Sequence, residues 1–243
     1  MYGMSGSGNG NGNGDNLFAG FDLTNIKPPT LGEYFTKNLD HIRTLAVAQM
    51  QLLILVMAIT AVVGIGLGLL VWRRPVLSEA VTNVFAAILT IPSLALLTLM
   101  IGPFGLGWLP TVISLLLYAQ LPVIRNTIVG MRSVDPAILE SAKAMGMNPW
   151  RILFRIQFPL AWPVIIAGLR VSSMLIFGIS AIAAYVGGPG LGDLMFSGLA
   201  SLGAFNSMNE TIVGAVSITV LALVFDAFFV VARRLTTSRG IRV

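Results

Sequence analysis

Apolar residues gather along this chain in five long runs, 46–72, 80–101, 109–131, 160–186 and 211–232, separated by short polar stretches. Each run supplies the roughly 20 mostly apolar residues that a helix needs to cross the hydrocarbon core of a bilayer. The third is the least clean, because Arg125 interrupts it after 16 apolar or neutral residues; an arginine so placed reaches the interface by snorkelling. The pattern predicts an all-α integral membrane protein with five transmembrane helices. Ahead of the runs, residues 1–16 alternate Gly with Asn or Ser, a composition that buries nothing and predicts a disordered tail. Residues 17–44 are mixed, with "KPP" as a breaker and a short surface helix expected over Leu31 to Arg43. The chain thus divides into an N-terminal segment 1–40, a membrane domain 41–232 and a basic tail 233–243.

Composition agrees. Of 243 residues, 56% are hydrophobic and 10% charged, with a mean hydropathy of +0.86. Soluble domains carry about 25% charged residues, so this chain cannot cover a soluble surface of its size. It has no cysteine, which excludes a disulfide framework, thiolate metal sites and cysteine catalysis. A signal peptide is not expected, since no basic region runs directly into an apolar core. The formal charge of +5 is not a nucleic-acid signal, because the basic residues cluster at the ends of apolar runs.

Their distribution gives an orientation. Arg73 and Arg74 follow the first run. Arg125, Arg132, Lys143, Arg151 and Arg155 follow the third, and Arg233, Arg234, Arg239 and Arg242 follow the fifth. The connections 102–108 and 187–210 have no Lys or Arg, and the N-terminal segment has Lys27, Lys37 and Arg43. The positive-inside rule places the first group in the cytoplasm, with the N-terminus outside and the C-terminus inside.

The longest cytoplasmic connection, 133–159, contains a charged stretch with two breaks. In "VDPAILESAKAMG", Asp135 stands as N-cap, Pro136 at the first helical position and Gly146 just past the end. "NPWRILFRIQFP" repeats the device with Asn148 as cap, Pro149 first and Pro159 closing. Two short helices with a tight corner at Gly146 are expected. Arg151 and Arg155 share a face of the second, which suits a basic amphipathic helix on the inner leaflet as well as a contact surface. The first shows apolar Ile138, Leu139, Ala142 and Met145 beside a lone Glu140, with small residues that permit close approach. That reads as a docking surface for another protein.

Here the chain resembles the membrane subunits of bacterial ABC importers. Their cytoplasmic signature is E-A-A, three residues, G, nine residues, I, one residue, L-P. The chain has Glu140-Ser141-Ala142, Gly146, Ile156 and Phe158-Pro159 with both spacings intact; Ser141 and Phe158 depart from the pattern. The resemblance implies a type-1 importer permease fold in the plasma membrane of a prokaryote, and a coupling helix that sits in a cleft of the ATP-hydrolysing subunit. "TIPSLALL" (90–97), "LPVIRNTIVGM" (121–131), "FPLAWPVIIAGLR" (158–170) and "YVGGPGLGDLMFSGL" (185–199) are similar to the permeases of osmoprotectant importers. By that resemblance the solute is a quaternary amine such as glycine betaine, choline or carnitine; a sibling importer for another zwitterion, such as an amino acid or ergothioneine, stays open. The partners implied are two ATPase subunits, an extracytoplasmic binding protein and a second permease subunit, identical or paralogous.

The remaining features fit a pathway subunit. Pro92, Pro122 and Pro163 lie within or at the ends of spans, where proline kinks helices and frees carbonyls. "GIGLGLL" (64–70) suits close helix packing. Gly187, Gly188, Gly190, Gly192 and Asp193 superficially suggest a phosphate loop, but no strand precedes them and they face outward; a re-entrant or surface segment at the pore mouth is expected instead. Arg170 and Asp226 lie inside spans at a cost of roughly 2.5–3.5 kcal/mol each at mid-membrane. Their pairing would meet that cost as an interhelical tie; the alternative is a part of the inner gate. Trp72, Trp108, Trp150 and Trp162 fall near span ends, as in an interfacial belt. No aromatic cage for a quaternary ammonium is visible, which leaves recognition chiefly to a separate protein.

Enzyme readings fare poorly. The single His41 precedes the first span and no Walker lysine motif is present, so neither metal, cofactor nor ATP hydrolysis is assigned to this chain. An ion or proton channel normally shows acidic or histidine relays inside spans, and only Asp226 qualifies. A non-transporting membrane anchor for a cytoplasmic complex is the third class.

Overall fold

The computed structural model describes residues 30–204 and 206–236, and every regular element among them is helical. The tail expected to be disordered, 1–16, and residues 237–243 lie outside the described residues. Four helices are long and apolar enough to cross a membrane, and a sharply bent pair makes a fifth crossing if counted as one.

Two helices share the stretch expected to form one surface helix. Helix α1, Leu31–Lys37, opens with a capping box: Glu33 N donates to Thr30 Oγ1 and Thr30 N to Glu33 Oε2. It stops at Asn38, whose side-chain amide donates to the Tyr34 carbonyl. Residues 39–43 then belong to α2, Leu39–Val71. At 1.5 Å per residue its 33 residues span about 50 Å, well beyond the ~30 Å hydrocarbon core.

The second apolar run does not form the single helix expected over 80–101. It is divided between α3, Pro75–Thr90, and α4, Ser93–Phe104, bent by 96°. Pro92 is the cause: it has no N–H to continue α3 and it forces Ile91 out of the helical region, to ψ 130°. The Tyr118 hydroxyl, on α5 (Trp108–Arg132), donates to the Ile91 carbonyl freed at the break. A polar group exposed by the kink is therefore satisfied by the neighbouring helix, as the membrane interior demands.

Helix α6, Pro136–Ala144, and α7, Pro149–Ile152, form at the expected caps. Asp135 Oδ1 accepts from Ala137 N and Asn148 Oδ1 from Trp150 N, and Gly146 turns the corner at φ +76°. The expected stop at Pro159 does not occur. A π turn over Leu153–Gln157 leads straight into α8, Phe158–Ala183, so helix continues from Pro149 to Val186. The wider turn sets Pro159 into the first turn of α8, where a missing N–H is tolerated. Gln157, buried in that turn, donates to the Met131 carbonyl at 3.0 Å. A 3₁₀ turn, Ala184–Val186, and α9, Gly192–Ala200, precede α10, Ser207–Thr236.

Helix α5 is the centre. Gly64 and Gly68 bring α2 against it: a Cβ at Gly64 would lie 2.8 Å from Val123, and one at Gly68 2.5 Å from Thr127. Gly66, between them, meets nothing within 4 Å. On the other side, a Cβ at Gly130 would stand 3.0 Å from the Ala161 carbonyl, one at Gly168 2.8 Å from that of Pro122, and Ser172 Oγ donates to Ala119 O at 2.6 Å. Small residues let backbones approach where lipid offers no hydrophobic drive.

Candidate functional site

The helices run so that polar ties gather at two opposite ends. At one end Arg132, the last residue of α5, donates from Nε to the Trp72 carbonyl (3.0 Å) and from Nη2 to Ser78 Oγ (2.8 Å). That arginine fastens the connection carrying Arg73 and Arg74 to the base of α6. At the other end Gly107 N donates to Val186 O at 3.0 Å, joining the start of α5 to the 3₁₀ turn that follows α8.

The first candidate site is the corner of α6 and α7. Ala142 is buried against the helical body, while Glu140, Ser141 and Gly146 are exposed. Ser141 spends its hydroxyl on the Ala137 carbonyl (2.8 Å). Backbone bonds close the corner: Met145 N to Ser141 O, Gly146 N to Lys143 O and Met147 N to Ala142 O. Ile138, Met145, Trp150 and Phe154 are exposed here, Met145 at 73%, and the Trp150 and Phe154 rings stack at 6.1 Å. An apolar group beside exposed Glu140 is the kind of surface that marks a contact with a protein or a membrane. Ile156, Phe158 and Pro159 are set apart from this corner. They belong to the π turn and the start of α8, with Phe158 against Trp162 at 5.5 Å.

The second is the glycine-rich segment after α8. It is folded back into the bundle and much of it is buried, with Gly187 at φ +76° and Gly190 at φ +136°. A Cβ at Gly188 would meet Thr111 Oγ1 at 2.6 Å, and one at Gly192 the Ala181 carbonyl at 2.2 Å. Gln49 of α2, fully buried, holds the segment: its Oε1 accepts from Leu191 N (3.1 Å) and its Nε2 donates to Ser180 Oγ (2.5 Å). Asp193 is exposed in the first turn of α9. Sequence reading passed over Gln49; its signal was a lone amide inside an apolar run, which a membrane tolerates only with partners.

Of the four pathway residues expected, only Arg170 and Asp226 come together. Nε of Arg170 reaches Oδ1 of Asp226 at 2.5 Å, and Nη2 reaches Oδ2 at 2.7 Å, a two-point contact between α8 and α10. Pro122 backs onto Gly168, two residues from Arg170. Pro92 stands apart at the bend of α3 and α4. Among the described residues no group of three His, Cys, Asp or Glu is placed to hold a metal ion.

Residues 60–237 match the family model of the "binding-protein-dependent transport system inner membrane component". The osmoprotectant import permease protein OsmW of Salmonella typhimurium is 34% identical over 214 residues, 86% of this chain and 98% of that protein. The glycine betaine/carnitine/choline transport system permease protein OpuCB of Bacillus subtilis is 36% identical over 176 residues, 72% of this chain and 79% of that protein. The carnitine transport permease protein OpuCB of Listeria monocytogenes is 38% identical over 161 residues, 65% and 71% of the two chains. In fold, an inward-facing structure of the MetNI methionine ABC transporter superposes with a TM-score of 0.71 at 20% identity, over 85% of this chain and 99% of its own.

Proposed function

We propose, from the premise that the chain belongs to the binding-protein-dependent transport inner membrane family, that it forms the translocation pathway of an ATP-driven importer for quaternary-amine osmoprotectants. The observation that carries the solute class is the similarity to betaine, carnitine, choline and osmoprotectant permeases at 34–38% identity. An inner-membrane transport subunit of this family works with an ATP-hydrolysing subunit and a substrate-binding protein. We assign two ATPase subunits and a second permease copy or paralogue, and no ATP hydrolysis to this chain.

The end bearing Arg73, Arg74, Arg132, Lys143, Arg151, Arg155, Arg233 and Arg234 faces the cytoplasm in this reading, by the positive-inside rule. The α6–α7 corner then receives the ATPase. Glu140 supplies charge to the contact, and Ala142 and Gly146 set its shape. Ile138, Met145 and Trp150 supply the apolar surface that docking buries. Because α7 continues through the π turn into α8 without a flexible joint, displacement of the corner is transmitted as displacement of a 38-residue rod. A short lever with a π turn at its elbow is a physical route from the ATPase to the pathway, and π turns inside helices recur at functional positions. The bend at Pro92 and the buried Gly187–Gly192 segment border the outer half of that pathway.

The test is uptake of labelled glycine betaine, carnitine and choline by the native host after an osmotic upshift, with and without this gene. A deficit restored by the wild-type chain supports the assignment. No deficit for any of the three, in a host stripped of redundant importers, sinks the solute class.

A further inference from the structure

Among the described residues, three buried side-chain oxygens make no hydrogen bond: Thr60 Oγ1 on α2, and Ser114 Oγ and Gln120 Oε1 on α5. They stand out against the other buried polar groups of the bundle. Thr127 Oγ1 donates to Val123 O at 2.7 Å and Thr111 Oγ1 to Gly107 O at 2.8 Å, while Gln49 and Gln157 are both bonded through their amides. A threonine inside a helix ordinarily turns its hydroxyl to the carbonyl four residues back. Thr60, 0% exposed, does not.

Gln120 is 4% exposed, and its Oε1 is pressed onto α2: a Cβ built on Gly64 would lie 2.9 Å from it. Thr60 shares a strip of α2 with Gly64 and Gly68, at spacings of four residues. It therefore lies one turn, about 6 Å, from the level at which the Gln120 carbonyl stands. Ser114 is about a third of a turn away from Gln120 around α5 and is not part of this strip. A Cα–H···O contact from Gly64 accounts for the close approach of Gln120, but such contacts are second-order, and it leaves the Thr60 hydroxyl idle.

A single bond, from the Thr60 hydroxyl to the Gln120 carbonyl, satisfies both atoms once the helices are offset by up to one turn. The packing permits that offset. Helices α2 and α5 run parallel here, since Gly64 faces Val123 and Gly68 faces Thr127. Valine and threonine have nearly the same shape, so a one-turn shift of α5 toward the start of α2 seats Thr127 on Gly64 in the place of Val123. Val123 then leaves its glycine for Thr60, a packing loss set against the new bond. Two registers with opposed advantages make a bistable contact, and one-turn ratchets of one helix past another are a known form of switching. The drive is at hand, because α8, the rod that leads from the α6–α7 corner, packs on α5 at Gly130 and Gly168.

We infer that Gln120 is a positioning residue of the transport cycle: its carbonyl accepts from Thr60 only when α5 has shifted along α2, and the bond stabilises the other end state. This rests on the transport reading above and not on the choice of solute.

The experiment compares Thr60→Val, Thr60→Ser, Gln120→Met and the double variant Thr60→Val with Gln120→Met in the complete importer reconstituted into proteoliposomes. Betaine uptake, ATPase turnover and thermal unfolding are read in parallel. Thr60→Val and Gln120→Met keep volume and remove an atom that is unbonded in the described conformation. Each is expected to leave the melting temperature unchanged or raise it, while uptake falls about threefold to tenfold, the weight of one interhelical hydrogen bond. The double variant is expected to fall no further than either single one, and Thr60→Ser, which keeps the hydroxyl, to stay within about twofold of wild type. Melting temperature and uptake that fall together make the pair a structural contact, direct or through a resident water, and overturn the inference. Uptake that stays at the wild-type level, or losses that multiply in the double variant, also overturn it. If the wild type imports no betaine, carnitine or choline, the solute class fails, and the same comparison scored on ATPase turnover decides the switch by the same criteria.

Discussion

Arg170 of α8 and Asp226 of α10 meet in a two-point ion pair, 2.5 and 2.7 Å, inside two apolar helices. Helix α10 is otherwise lightly packed, with Val216, Val220, Leu223, Val224 and Phe228 all exposed on this chain. The pair is a polar bond between α10 and the bundle inside apolar helices, where an unpaired charge at mid-membrane would cost roughly 2.5–3.5 kcal/mol. Arg170→Ala and Asp226→Ala are each expected to lower membrane accumulation and the melting temperature in mild detergent. Arg170→Asp with Asp226→Arg is expected to recover most of both. If the double exchange recovers nothing that the single changes lose, the pair does not serve as the tie; if stability is untouched and only uptake falls, it belongs to the gate.

Glycine spacing on α2 makes a prediction with its own control. Alanine at Gly64 or Gly68 places a methyl at 2.8 or 2.5 Å from α5, whereas Gly66 faces open space. Gly64→Ala and Gly68→Ala are expected to destabilise by about 1–3 kcal/mol through overpacking. Gly66→Ala is expected to be neutral or slightly stabilising, since alanine is the better helix former. Thermal unfolding of the three variants checks the order.

The buried glycine segment depends on Gln49. Gln49→Ala removes the acceptor of Leu191 N and the donor to Ser180 Oγ, leaving a buried amide unsatisfied at a cost of about 1–3 kcal/mol. Gly190→Ala is expected to be worse, because a Cβ there would stand 1.8 Å from Gln49 Oε1 with the backbone at φ +136°. Combining the two relieves the clash but not the backbone strain, so the double variant remains defective. Protease sensitivity of the segment follows the same ranking.

At the bend of α3 and α4, Tyr118→Phe removes the hydroxyl that satisfies Ile91 O. The change is expected to cost about 1–2 kcal/mol and to reduce uptake more than accumulation, because the bend borders the proposed pathway. Equal loss of both makes the bond purely structural.

Much of this architecture was legible because the membrane imposes a coarse rule. Runs of about 20 apolar residues mark crossings, and lysines and arginines mark one end. Asp135, Pro136, Asn148, Pro149 and Gly146 punctuated α6 and α7 correctly, since capping is local chemistry. Pro159 and the run 80–101 were misjudged for one shared reason. The effect of a proline depends on the turn it occupies: the π turn before Pro159 absorbs it, while Pro92 has no such relief and breaks the span through 96°. The crevice between α1 and α10 was invisible in sequence, because Tyr34 and Glu210 lie on helices that meet only in the fold.

The most direct test of the account is where the α6–α7 corner goes. The chain has no cysteine, so a single introduced thiol reports unambiguously. Met145→Cys, at the exposed corner, and Leu106→Cys, exposed at the opposite end, are compared in the assembled importer with a short thiol-reactive cross-linker and single cysteines on the ATPase surface. The account predicts that residue 145 cross-links to the ATPase, with a yield that changes when ATP is bound, and that residue 106 never does. Cross-linking at 106, or none at 145 in a complex that still hydrolyses ATP and imports solute, contradicts both the orientation and the coupling site.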